Sequence, residues 1–386
     1  GTIDRMKRRT FLLGGLLASS AAFAAPKKKA ASNGTGLKKS SRSGLRAPSG
    51  PAPIKVPAKL APELAMSGGV WRPYELTVDV SSTSHGDDAA LWIPIPMDTP
   101  WQQVTSITWS GGGNKAGIRF DPASQLHVFV ADSGSSTPDI TLKMRVETRT
   151  RQFDITKRGT FFHESEEELD RNVRETGYRG TSEGLRHLAD EVSGRIIEPL
   201  PRARAIYDWV LDKALSGQCS AYEMALPPRT ACLNSKGEDV AIAFVNLCRA
   251  LNIPARAVWG QIVGESRLNP KLGATGNVTK DQRVRAEFHT PGYGWTPVDP
   301  GDVVRLQQAE GLSATDGRLT SLRKKLFGFW EMNWVGYQYG PGFTLPGGPD
   351  TGLAGLATPL ATIGNPRAGR TSDTEVRYRI DAKPIN

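Results

Sequence analysis

Three cysteines and five histidines are the residues of this 386-residue chain with the chemistry to attack a carbonyl or to move a proton near neutral pH. Cys219, Cys232 and Cys248 form an odd set. Cys248 lies in the apolar run from Val240 to Leu251, where a thiol behaves as a small hydrophobic residue. Cys219 and Cys232 stand thirteen residues apart in a loop-rich stretch, and a disulfide between them would close a loop worth ~3 kcal/mol. The chemical alternative makes Cys232 a nucleophile with His289 as its base. His85 in a polar loop and His127 on a strand read as structural. No histidine has a second ligand at metal spacing, so neither a metal nor a cofactor is expected.

The elements that must hold these residues are legible. Ser235 followed by Glu238 has capping-box spacing, and Val240, Ala241, Ile242, Ala243, Phe244, Val245 and Leu247 are apolar round most of a helical cylinder. That pattern predicts a buried helix. Ile253-Pro254 ends it, and Ala255 to Trp259 has the composition of a strand leaving the core. Further on, Arg283, Arg285, Glu287 and His289 alternate with Val284, Ala286 and Phe288, so the charged set shares one face of a strand.

Phe244, Leu247, Arg249, Ala250, Ile253, Pro254, Ala255 and Arg256, then Pro291-Gly292-Tyr293-Gly294-Trp295 and Pro297-Val298-Asp299-Pro300, resemble the transglutaminase-like superfamily in register and without a gap in the first block. The resemblance implies a papain-like fold and a cysteine–histidine–aspartate triad for amide cleavage or acyl transfer. At the nucleophile position stands Gly237, at the histidine position Arg283, and Asp299 alone matches. Glycine has no attacking atom, and arginine keeps its proton to about pH 12. Triad members act as a unit, and losing one costs on the order of a millionfold in turnover. The implied reading is a pseudoenzyme. His289 does not replace the lost base from strand geometry, since six residues along a strand is ~20 Å.

Two uses remain for the emptied positions. Helix-start amides with Lys236 and Gly237 on one side and Arg283 on the other would favour an anion such as a carboxylate. Alternatively Arg283 pairs with Asp299 and fills the cleft.

The formal charge of +10 is misleading as a whole-chain figure. Residues 1–60 hold thirteen Lys and Arg against Asp4, a net +12, which leaves about −2 for the rest and excludes a basic nucleic-acid-binding domain. Met6-Lys7-Arg8-Arg9-Thr10-Phe11-Leu12-Leu13, a short apolar run and Ala22-Phe23-Ala24 have the order of an export signal of twin-arginine type. Roughly 14 residues between Thr10 and Ala24 fall short of a membrane span, so no transmembrane segment is expected after cleavage. The Lys-, Ser-, Gly- and Pro-rich stretch that follows lacks the apolar residues to fold.

Between Val70 and Thr150 the pattern has period two, with Leu76, Val78 and Val80 and again Ile140, Leu142, Met144 and Val146 as one-sided strands. The chain is therefore expected to be α+β: residues 1–25 an export signal, 26–65 a disordered basic linker, 66–155 a small antiparallel β-sandwich, 160–340 the transglutaminase-like domain, and 341–386 a Gly/Pro-rich tail with a final strand. The polar stretch 264–282 is expected to cover the cleft, and the aromatic run Phe327 to Tyr339 to close on the core. The function expected is a peptide, protein or cell-wall binding or scaffold protein of the periplasm or envelope, with an active cysteine enzyme as the alternative.

Overall fold

The structure, a computed structural model, describes residues 69–385 apart from 83–88, 112–115, 122–125, 134–138, 159–163, 175–176, 233–236, 341–344, 349–352, 354, 364–369 and 373–375. The export signal, the basic linker, His85, Ser235 and Lys236 lie outside the described residues.

The one-sided strands build a sandwich. β1 (Arg72–Ser82), β2 (Ala89–Ile95), β3 (Gln102–Ser110), β4 (Gly117–Asp121), β5 (Leu126–Ser133) and β6 (Ile140–Thr148) come first, and β7 (Arg151–Gln152) leads out. Leu76 and Val78 of β1 stand opposite Met144 and Leu142 of β6, so each inward-facing residue is stacked on another. These side chains meet Leu91, Ile93 and Phe129 of the second sheet in one buried cluster.

The α+β part then follows in order. Helices α1 (Glu166–Val173), α2 (Ser182–Ser193) and α3 (Pro199–Leu215) precede a short 3₁₀ turn, Cys219–Ala225, and the central helix α4 (Glu238–Ala250). Every residue of α4 from Asp239 to Arg249 is buried. Phe244 meets the edge of Tyr207 on α3 at 6.2 Å and Phe288 on the sheet at 5.9 Å. That sheet runs β11-β10-β8-β13, formed by β8 (Ala255–Ile262), β10 (Gln282–Thr290), β11 (Gly294–Val298) and β13 (Trp334–Gly340); the short β9 (Gly276–Asn277) lies in the insertion before β10. All of β8 and β10 is buried, because α4 covers one face and a tryptophan-rich layer the other. Helices α5 (Pro300–Glu310) and α6 (Gly317–Lys325) and the short β12 (Phe329–Trp330) complete the domain.

One expected role changes hands. The insertion 264–282 joins the sandwich instead of covering the cleft: β9 pairs with the last strand, and Val278 donates its N–H to Ile380 O at 2.9 Å. The aromatic run is buried as expected of a closing segment, with Trp330 and Trp334 packed on Trp101 at 5.4 and 6.5 Å between the two modules.

The tail is not an appendage. β14 (Leu360–Ile363) and β15 (Arg370–Ser372) extend the sheet of β2, and β16 (Val376–Pro384) pairs along β1 from Tyr74 to Ser82. Sequence shows a strand here, but its partner lies some 300 residues upstream, out of reach of any local pattern. Ile380 is 1% exposed in the sandwich core, opposite Val78. Ile380→Ala should therefore cost about 2–5 kcal/mol in a urea melt, whereas a peripheral strand would lose almost nothing.

Candidate functional site

Gly237, where the sequence resemblance puts the nucleophile, falls where two helices begin. Gly237 caps α4 in the left-handed region, with φ of 69°, and its carbonyl accepts the first helical N–H from Ala241 at 3.3 Å. The expected capping box is thus displaced: Glu238 opens the helix directly and the cap has no side chain. The reason is the neighbour. A Cβ placed on Gly237 would lie 2.3 Å from Gly301 Cα and 2.9 Å from its carbonyl carbon and oxygen, at the start of α5. No thiol can stand there without moving α5.

On β10 the arginines and Glu287 of the charged face are ion-paired within the protein, whereas His289 Nε2 has no hydrogen-bond partner among the described residues. Asp299 caps α5, its Oδ1 accepting the Asp302 N–H at 3.1 Å, while its Oδ2 lies 2.6 Å from Arg285 Nε. Arg285, not Arg283, is therefore the partner of Asp299. Alternation puts both arginines on one face, and Arg285 is the one level with the end of β11, where Asp299 follows Val298. Arg283 is 4% exposed, pairs with Asp281 at 3.3 Å and with Asp302 at 3.8 Å, and donates to Gln282 O. Arg305 joins at 3.5 Å from Asp302. Three guanidinium groups thus meet three aspartate side chains, so the arginines already have partners within the protein. Burial and the adjacent Asp302 push the Asp299 carboxyl up to about 7, although Arg285 pulls it down.

Further along the same face, Glu287 is clamped by Arg151 at 2.6 Å and Arg256 at 2.5 Å. Arg256 lies between the rings of Trp295 and Tyr339, 3.9 and 3.6 Å from their centroids. Burial raises the Glu287 carboxyl but the two arginines outweigh it, so it stays below the usual carboxylate range. Burial and Arg256 hold His289 at about 4, a neutral ring packed against Trp295.

Cys232 sits elsewhere, beside Cys219, Glu223 and Asp239 at the start of α4, whereas His289 donates its backbone N–H to Pro254 O past the end of that helix. Burial and Cys219 push its thiol up to about 12, so thiolate is negligible near neutral pH. Both residues of the alternative nucleophile pair are thus apart and in the wrong state. Cys219 and Cys232 are free thiols in this structure, in contact with each other, and Cys248 is fully buried in α4. Among the described residues no group of His, Cys, Asp and Glu is arranged to hold a metal.

Several of these partners have no strong mark in the sequence. Tyr222 donates to Asp239 at 2.9 Å and ties the 3₁₀ turn to the start of α4. Gly301 could have been singled out only as a glycine right after Asp299-Pro300. A cavity of about 210 Å³ beside α4 is lined by Glu238, Trp259, Gln282, Arg283 and Val284 and roofed by Gly355, Ala357 and Thr358 of the tail.

With this geometry in place, the likeness to known proteins is specific. Residues 186–300, from α2 to the start of α5, match the family model of the transglutaminase-like superfamily. The chain carries a transglutaminase-like domain. A structure from Cytophaga hutchinsonii described as a candidate cysteine protease aligns at a TM-score of 0.50 and 14% identity, covering 82% of this chain and 92% of that one, a likeness of fold. The periplasmic domain of TgpA from Pseudomonas aeruginosa aligns at a TM-score of 0.28 and 17% identity, over 67% of this chain and 95% of that domain. A Haemophilus influenzae protein described as uncharacterized is 27% identical over 336 residues, 81% of this chain and 90% of its own length.

Two measurements probe this site. Gly237→Ala forces a side chain into a left-handed cap, about 1–2 kcal/mol, and into Gly301; a total loss above that range is expected in a urea melt. Because Asp299 holds its proton to about pH 7 when folded and to about pH 4 when unfolded, its contribution to stability falls as pH rises between those values, at most ~1.4 kcal/mol per unit. Asp299→Asn should remove that slope; parallel stability curves for the two proteins from pH 4 to 7 would refute the assignment.

Proposed function

We propose that this is an exported, non-catalytic member of the transglutaminase-like fold, which binds or scaffolds a peptide, a protein or a cell-wall component in the bacterial envelope. One observation carries the reading: the backbone of Gly301 lies 2.3 Å from where a side chain at Gly237 would begin, so the nucleophile position is closed as well as empty. A chain that had merely lost its cysteine would keep the room for one. The histidine position supports the same reading, since Arg283 is held by Asp281 and Asp302 and a guanidinium has no acceptor atom with which to act as a general base.

Export rests on the twin-arginine-like order of residues 6–24, and no described helix is long and apolar enough to cross a membrane. The family's peptide chemistry favours a peptide or protein ligand over a nucleic acid, since the residues after position 60 carry a net charge of only about −2.

The test compares the wild type with a Gly237→Cys, Arg283→His double variant. Neither is expected to cleave or transfer a peptide amide above the buffer rate, and no cysteine of the native wild type is expected to react with iodoacetamide faster than in a denatured control. A single fast-reacting cysteine whose removal abolishes an amidase activity would overturn the proposal.

A further inference from the structure

The tail reaches its strands by crossing the α4 side of the central sheet, and it does so in the manner of a bound peptide. Gln338 and Trp259 are cross-strand neighbours on that side. With the Gln338 amide in the orientation that satisfies both its groups, its nitrogen donates to Leu356 O at 2.9 Å and its oxygen accepts from Leu356 N at 2.7 Å. One side chain thus reads both main-chain polar groups of a single residue. Gly355 lies flat on the Trp259 indole, so close that a Cβ would stand 2.2 Å from the ring. The Leu356 side chain is 3% exposed in a pocket with Trp92, Val128 and Leu345. Ala357 and Thr358 then roof the cavity of about 210 Å³ beside Glu238 and Gln282 without filling it. That space is partly open to solvent and lies beside both side chains, so a longer side chain at either position has room to extend into it.

We infer that this side of the sheet is a peptide-binding groove, filled in cis by residues 355–358, and that a partner segment enters by displacing them. The groove selects a glycine over Trp259, a bulky apolar residue in the Trp92 pocket, and next a polar side chain longer than alanine. The inference rests on the binding-protein reading above and supplies its ligand class. Gln338 takes any main chain, Trp259 excludes every residue but glycine from its face, and the unfilled cavity leaves the native segment a poorer occupant than a partner with a longer third residue. A resident segment lowers the apparent affinity for a competitor by the fraction of time the groove stands open.

The test uses the full chain and a fluorescein-labelled octapeptide with the sequence of residues 353–360, read by anisotropy. Gly355→Ala drives a methyl into the Trp259 ring and evicts the protein's own segment while leaving the groove intact. Its dissociation constant for the peptide is expected at least ~10-fold below that of wild type, with Gln338→Ala in the same chain reversing the gain. A peptide carrying Ala357→Gln is expected to bind tighter than the native sequence. Equal affinity of wild type and folded Gly355→Ala overturns the inference. Should that variant not fold, hydrogen exchange of the wild type decides: excess peptide speeds deuterium uptake at residues 355–358 if segments exchange, and unchanged uptake overturns the inference as well. An amidase activity would sink the non-catalytic reading alone and leave the exchange standing.

Discussion

Two helix starts meet backbone to backbone at Gly237 and Gly301, and the contact is closer than any side chain permits. Each helix brings the positive end of its dipole to that point. The acids around it follow from this requirement: Glu238 and Asp239 stand in the first turn of α4, Asp302 in the first turn of α5, and Asp299 caps α5 with its carboxylate. Buried carboxylates in turn demand cations, which β10 provides through Arg283 and Arg285 and α5 through Arg305. The two helix starts are thereby held in a closed joint of paired acidic and basic side chains.

Such a joint is a device for placement more than for stability. Desolvating several ions offsets much of their mutual attraction, while removing one partner strands another without solvent. The same logic repeats further along β10, where Glu287 joins β7 through Arg151 and β8 through Arg256. One strand face therefore ties the central sheet to the lead-out of the sandwich and to the start of α5. The opposite face, with Val284, Ala286 and Phe288, supplies the apolar contact with α4. The division of labour comes directly from the two-residue period of the strand.

Chain topology adds a second constraint. The sandwich begins with β1 and is finished by β16, so the transglutaminase-like domain is an excursion between the two. The returning chain has to pass the central sheet, and Gly355 to Thr358 do so over Trp259 and Gln338. Gln102 seals the junction between the modules, its amide donating to Met97 O and Gly336 O and accepting from Gly336 N, all at 2.8 Å. A fully buried amide with three partners is costly to disturb.

The local patterns in the chain were sufficient for most of the elements. The apolar cylinder of α4, the Ile253-Pro254 stop, the alternation of β1, β6 and β10 and the absence of a thiol and an imidazole at Gly237 and Arg283 are all written in residue order, because each depends on neighbours within about a dozen positions. The partner of Asp299, the seat of the insertion 264–282, the strand pairing of the tail and the segment that roofs the cleft were decided by tertiary structure alone. Each joins residues whose separation along the chain ranges from 14, for Arg285 and Asp299, to more than 300, for Val78 and Ile380. Sequence reports a glycine at position 237 and an arginine at position 283; only the folded chain, by setting Gly301 against Gly237, determined that no side chain has room at the first, because excluded volume is a property of the approach of two backbones and not of either residue.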